Sequence, residues 1–219
     1  LAIFVNNKRK IFVLTSYKVG YSTLLSQDQH ILNYLHYIIS FPIFKHLIKK
    51  FNYKRYLIIR NPYDRFLSLF SDKFRKQPKR ILDGLHTWEN VHICLFPYLN
   101  IKHGESDASI ASKFLDMKIS EFLKLLPLVL HKDEHFMSQS TTKQFRLFNR
   151  FPINLRMDGY FRLEDQQQEI AKLTGIDFGI KKNISNSNKL KNNLTEDDLL
   201  ILNRIYEKDF LLGNYTVES

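Results

Sequence analysis

Cysteine is almost missing from this chain. Cys94 is the single one among 219 residues, which excludes an internal disulfide and any zinc site built from several thiolates. A chain without disulfides fits a reducing compartment better than a secretory one. Long apolar runs are missing too: no stretch approaches the ~20 apolar residues of a membrane-spanning helix. The G-x-x-x-x-G-K-(S/T) spacing of a nucleoside-triphosphate loop does not occur, and no carboxylate follows a strand where it would hold magnesium. Both absences weigh against a kinase. There is no internal repeat and no linker long enough to divide the chain, so a single domain over residues 1–219 is expected.

Negative charge is also scarce. Lysine and arginine number 33 against 22 aspartates and glutamates, a formal net charge of +11. Such a surface suits an anionic partner: a nucleotide, an acidic or sulfated glycan, a nucleic acid or an anionic membrane face. Charge alone does not choose among these, and a solvated basic surface needs no partner at all. Eighteen Phe and eleven Tyr, within a hydrophobic content of 44%, read as a globular protein with an aromatic core.

Apolar patterning gives the elements. Residues 11–15 and 56–59 are short buried-strand runs, and residues 159–163 form a further strand. A helix is expected from about Ser22 into the thirties on Leu24, Leu25, Ile31, Leu32, Leu35 and Ile38. Another opens at Asn61-Pro62 with Asp64 in its first turn, signals of an N-cap, a first helical position and a favourable helix dipole. In it Phe66, Phe70 and Phe74 share one face and Arg65, Ser68, Asp72 and Arg75 another. Residues 77–107 read as loops and short helices, and the stretch from Ser120 stops near Pro127. Residues 164–174 are helical and closed by Gly175. Residues 181–193 read as a loop, and Thr195 with Asp198 caps a last helix carrying Leu199, Leu202, Ile205 and Tyr206. Strands alternating with helices predict an α/β fold with a mostly parallel central sheet flanked by helices.

Two segments carry chemistry. In residues 11–25 a strand, a loop and a helix follow one another, so backbone N–H groups meet the positive end of a helix dipole. Gly20 allows close approach, Lys18 adds a charge, and Ser22 and Thr23 add hydroxyl donors. Taken alone, a lysine and a glycine here are more often just an ordinary turn. In residues 60–68, Arg60 stands at the end of a strand, where open α/β sheets bind ligands. Its guanidinium can fork onto a phosphate, and Ser68 can donate a hydroxyl. An ion pair between Arg60 and Asp64 is the structural alternative.

Tyr17-Lys18-Val19-Gly20-Tyr21-Ser22-Thr23-Leu24 resembles the 5′-phosphosulfate loop P-K-x-G-x-T-S-L of the Golgi-type carbohydrate sulfotransferases and their bacterial relatives. Arg60 to Ser68, continued by Leu69-Phe70-Ser71-Asp72-Lys73-Phe74, resembles that family's 3′-phosphate element, R-(D/N)-P-(Y/F)-x-R onward. Asp133-Glu134-His135-Phe136-Met137-Ser138-Gln139 is similar to its D-x-H-(W/F)-x-P-Q, and Asp158 to Glu164 falls where the family has a strand ending in Glu. The tail from Asn183 to Tyr215 follows the family in order. Tyr17 stands for a proline, Val19 for a small or hydroxyl residue and Ser138 for a proline, and the cysteines of many luminal members are missing.

The resemblance implies a P-loop-like sulfotransferase fold and direct in-line transfer of a sulfuryl group from 3′-phosphoadenosine-5′-phosphosulfate (PAPS) to a hydroxyl, releasing PAP without a metal. It assigns Lys18, Val19, Gly20, Tyr21, Ser22 and Thr23 to the 5′ end of the donor, and Arg60 and Ser68 to its 3′-phosphate. Lys18 would offset charge on the leaving oxygen. The base for the acceptor hydroxyl is a histidine or glutamate in the family; His46 and His135 lead here, ahead of His30 and His36. The implied acceptor is a carbohydrate or glycoconjugate, with no nucleic-acid partner. The implied location is cytoplasmic, with peripheral attachment to a bacterial inner membrane or a Golgi-luminal domain freed of its anchor as alternatives. The rival readings are a catalytically inactive relative and a polyanion-binding module.

Overall fold

The computed structural model describes residues 2–6, 8–20, 31–32, 52–75, 80–82, 85–147, 151–175 and 191–219. The strands are β1 (Ala2–Asn6), β2 (Ile11–Thr15), β3 (Ile31–Leu32), β4 (Lys54–Ile59), β5 (Arg80–Leu82), β6 (Leu85–Thr87), β7 (Gln144–Leu147), β8 (Phe151–Asn154) and β9 (Gly159–Arg162). The helices are α1 (Pro62–Phe70), α2 (Asn90–Ile93), α3 (Asp107–Asp116), α4 (Ile119–Val129), α5 (Gln167–Thr174), α6 (Glu196–Ile205) and α7 (Glu207–Gly213). The described chain forms two compact units. One comprises Leu1–Asn61, Ser138–Ile184 and Leu211–Tyr215; the other comprises Pro62–Met137, Ser185–Phe210 and Thr216–Ser219.

The first unit holds the main sheet, in the order β3-β1-β2-β4-β9. β2 pairs in parallel with β4, and β4 with β9; β1 is antiparallel to both β2 and β3. All the strands but β1 therefore point one way, and the expected mostly parallel α/β sheet is what forms. Every residue of β2 is buried, as a strand covered on both faces requires. Ile11, Val13 and Ile58 pack with Ile170 of α5 and with Val19 from the loop after β2. Gly175 closes α5 at φ 80°, its N–H donating to the Ala171 carbonyl at 2.8 Å; a side chain there would strain the left-handed turn.

Ile31 and Leu32 correct the sequence reading. They were expected in a helix and instead pair with Phe4 and Ile3 of β1. A short apolar run satisfies either period, and the edge of β1 decided between them. The rest of that expected helix lies outside the described residues, as do residues 181–190 of the expected loop.

The second unit is mainly helical. Phe122 of α4 is the hub of its core: its ring lies 5.9 Å from Phe66, 5.9 Å from Phe70, 4.9 Å from Phe74 and 5.6 Å from Phe136, centre to centre. The four-residue spacing of Phe66, Phe70 and Phe74 thus does what an apolar helical stripe should, although the chain beyond α1 widens into a π-helical turn over Ser71–Arg75. α4 runs through Pro127 to Val129 rather than stopping there. Proline removes one hydrogen bond of the last turns, and burial of Leu126 and Val129 on either side offsets the loss. The expected irregular region contains the β5–β6 hairpin and the short helix α2. The capping box forms as read: Thr195 Oγ1 accepts from the Asp198 N–H at 3.2 Å, and Asp198 Oδ2 accepts from the Thr195 N–H at 3.0 Å. The same carboxylate accepts from Ser120 Oγ at 2.9 Å, so the cap of α6 also ties down the start of α4.

Candidate functional site

In the first unit the parallel strands end together. Thr15 of β2 pairs with Ile58 of β4, and Ile59 with Arg162 of β9. The loops leaving these ends carry Lys18, Arg60 and Glu164, at the carboxyl edge where open α/β sheets bind ligands.

The loop after β2 turns tightly. The Val19 N–H donates to the Ser16 carbonyl at 3.3 Å. Lys18 and Gly20 both sit at φ 65° with Val19 at negative φ between them, and such alternation is the backbone pattern of anion-binding concavities. For Lys18, a non-glycine residue, this conformation costs roughly 1 kcal/mol. The Val19 side chain is fully buried in the sheet core. Its departure from the family pattern therefore anchors the loop, and only its backbone is available to a ligand.

Arg60 is held at its root and at its tip. Its N–H donates to Gln139 Oε1 at 2.8 Å, and its carbonyl accepts from Gln139 Nε2 at 2.7 Å. Arg60 Nη1 donates to the Lys18 carbonyl at 3.1 Å. The next N–H, of Asn61, donates to Glu164 Oε1 at 2.7 Å, and Glu164 Oε2 accepts from the Tyr215 hydroxyl at 2.8 Å. Burial beside that carboxylate pushes the Tyr215 hydroxyl far above its usual range, so it stays a donor. The structure thus brings Lys18 and Arg60 together. Tyr21, Ser22, Thr23 and His46 lie outside the described residues.

In the second unit, α1 buries the face that the sequence presents as polar. Arg65 is 2% exposed and Ser68 9%. Arg65 Nη2 donates to the carbonyls of His135 at 3.2 Å and Met137 at 2.6 Å, and its guanidinium lies 5.7 Å from the Tyr206 ring centre. Tyr206 donates to the Phe136 carbonyl at 2.9 Å, and burial pushes its hydroxyl up to about 12. Arg65 and Tyr206 together therefore bind the main chain of residues 135–137. A charged residue in this position is invisible to a hydrophobic-period reading, because its partners are carbonyls far away in sequence.

His135 forms a dyad with Asp133. Its Nδ1 lies 2.6 Å from Asp133 Oδ1, and its backbone N–H donates to the same oxygen at 2.9 Å. Asn90 Nδ2 donates to Asp133 Oδ2 at 3.1 Å. Burial alone would raise the Asp133 carboxyl; the hydrogen bond and charge of His135, with the two N–H donors, outweigh it and hold the group below its usual value. An ionised carboxylate accepts only, so the neutral imidazole carries its proton on Nδ1 and its lone pair on Nε2.

His92, which the sequence reading left aside, is buried among Phe74, Trp88 and Phe114. Its Nε2 lies 3.0 Å from the Lys73 carbonyl and must donate to it, while its buried Nδ1 has no hydrogen-bond partner among the described residues. Burial pushes the imidazole below its ordinary value, against the smaller opposing effects of the Lys73 carbonyl and Glu89. A histidine depressed in the folded state contributes stability that is full above its unfolded value, near 6.5, and falls as pH drops through the folded one. Denaturant titrations across this range should therefore show wild-type stability declining on acidification more steeply than that of His92→Leu. Parallel pH profiles would contradict the assignment.

Among the described residues, no helix is long and apolar enough to cross a membrane. The chain matches the sulfotransferase family over residues 26–216 and belongs to that family. The matched span contains the Arg60 and His135 motifs and begins beyond the Lys18 turn. No curated protein and no solved structure matches the chain. The α/β sheet, with its strand-loop element after β2, is consistent with a sulfotransferase-like fold.

Proposed function

We propose that this sulfotransferase takes PAPS as its donor and sulfates a hydroxyl of a carbohydrate or glycoconjugate by direct in-line transfer. The observation that carries the reading is the hydrogen bond from Arg60 to the Lys18 carbonyl, which joins the two anion-binding motifs at the carboxyl edge of the sheet. The residues fit a donor with two anionic ends: a cationic turn with alternating backbone, and a strand-end guanidinium set by hydrogen bonds.

PAPS would supply the activated sulfuryl group. Lys18 offsets charge on the oxygen that leaves with PAP, and the backbone of residues 18–20, with Tyr21, Ser22 and Thr23, holds the 5′ oxygens. Arg60 grips the 3′-phosphate, with Ser68 assigned to the same group by its motif. His135 takes the acceptor proton at Nε2 while Asp133 holds Nδ1. The acceptor class, the lack of a metal and a cytoplasmic site of action follow from the family resemblance, as does peripheral membrane contact.

The test is transfer itself. Incubation with PAPS and a panel of hydroxylated glycans should yield PAP and sulfated product in equal amounts, and Lys18→Ala should suppress both. PAPS consumption without any sulfated acceptor, or a sulfated product unaffected by the Lys18 substitution, would overturn the reading.

A further inference from the structure

We propose that Gln139 is a positioning residue that aims Arg60, and that through Arg60 it sets the enzyme's discrimination for a 3′-phosphorylated nucleotide. The inference rests on the assignment of Arg60 to the 3′-phosphate. Gln139 is 1% exposed, and its amide satisfies both the N–H and the carbonyl of a single residue, at 2.8 and 2.7 Å. That pairing reproduces what a neighbouring strand does in a sheet, applied to one residue beyond the end of β4 (Lys54–Ile59). Two-point contact fixes the peptide planes on both sides of the Arg60 Cα and hence the direction in which its side chain leaves the chain.

The neighbouring contacts complete the frame. Glu164 holds the following N–H, and the guanidinium reaches the Lys18 carbonyl. A guanidinium recognises phosphate through a planar fork, so its usefulness depends on angle as well as reach. A displacement of about 1 Å in such a group can cost on the order of a hundredfold. Gln139 is assigned no contact with donor or acceptor; its effect on the nucleotide passes through Arg60.

This predicts a signature that a general loss of packing would not produce. PAP and adenosine 5′-monophosphate differ only in the 3′-phosphate. Both are titrated calorimetrically into the wild type, Gln139→Met, Arg60→Ala and the double variant. Gln139→Met, which keeps the length of the side chain and removes the amide, should weaken PAP by roughly tenfold, the scale of one charge-assisted hydrogen bond. Its affinity for the monophosphate should stay within about twofold, and adding it to Arg60→Ala should produce no further loss.

Gln139→Asn keeps the amide but withdraws it by one methylene; it carries the same expectation and serves if the methionine variant does not fold. Equal losses for the two nucleotides, or additive losses in the double variant, would overturn the positioning role. So would unchanged PAP binding by the Gln139 variants alongside weakened binding by Arg60→Ala. Should Arg60→Ala itself bind PAP as the wild type does, the assignment of Arg60 fails, a separate outcome visible in the same data.

Discussion

Replacing His135 with alanine is expected to lower turnover by ~10²–10⁴-fold, the range contributed by a positioned general base, while PAP still binds. The expectation rests on the dyad: Asp133 lies 2.6 Å from Nδ1, is itself held by Asn90, and is kept ionised by these partners. A fixed Nδ1 proton leaves Nε2 as the basic atom, the tautomer that a general base at this position requires. Asp133→Asn keeps the shape but can present an N–H to Nδ1, favouring the wrong tautomer. It should cost turnover too, with PAP affinity retained. Near-full turnover in His135→Ala would remove His135 from the role and pass it to His46, to be tested by His46→Ala in the same assay. Full turnover in both would exclude both.

The second large effect concerns stability. Arg65→Met should destabilise the fold by about 3 kcal/mol, since hydrogen bonds to charged groups contribute ~1.5–3 kcal/mol each and two carbonyls, those of residues 135 and 137, lose their donor. Methionine fills much of the volume, so the loss reports the polar contacts rather than a cavity. Arg65→Lys is not expected to rescue it, because its ammonium ends one bond short of Nη2, the nitrogen that reaches both carbonyls, and is more strongly hydrated than a guanidinium. Urea unfolding monitored by fluorescence measures the difference directly. A change within about 0.5 kcal/mol, the usual range for a surface substitution, would show that the buried guanidinium is dispensable.

These two residues also show where sequence reading succeeds and where it stops. The 133–139 motif was legible as a motif, and so were β2, the core of β4, the Pro62 start of α1, the Thr195–Asp198 box and the Gly175 cap. Each is encoded within a few neighbouring residues, by alternation, branching or a local hydrogen bond. Arg65 was read as part of a polar face because its partners lie about seventy residues away. Gln139 stands in that motif with no role legible from sequence, since its partner Arg60 is 79 residues distant. Glu164 and Tyr215 fall within the family pattern, but their bracing of Asn61 was not legible for the same reason. Ile31 and Leu32 misled because two apolar residues carry no period of their own. Val19 counted as a departure from the loop pattern, and burial in the sheet core gives that departure a structural purpose.

The donor assignment is the centre of the account, and Arg60 is the residue on which it turns. The most direct test is the affinity of the wild type and of Arg60→Ala for PAP and for adenosine 5′-monophosphate. With Arg60 on the 3′-phosphate, the wild type binds PAP at least tenfold more tightly, roughly the worth of one charge-assisted contact, and the substitution brings the two affinities together. A wild type that binds both nucleotides equally, or an Arg60→Ala protein that keeps the full preference for PAP, would contradict it.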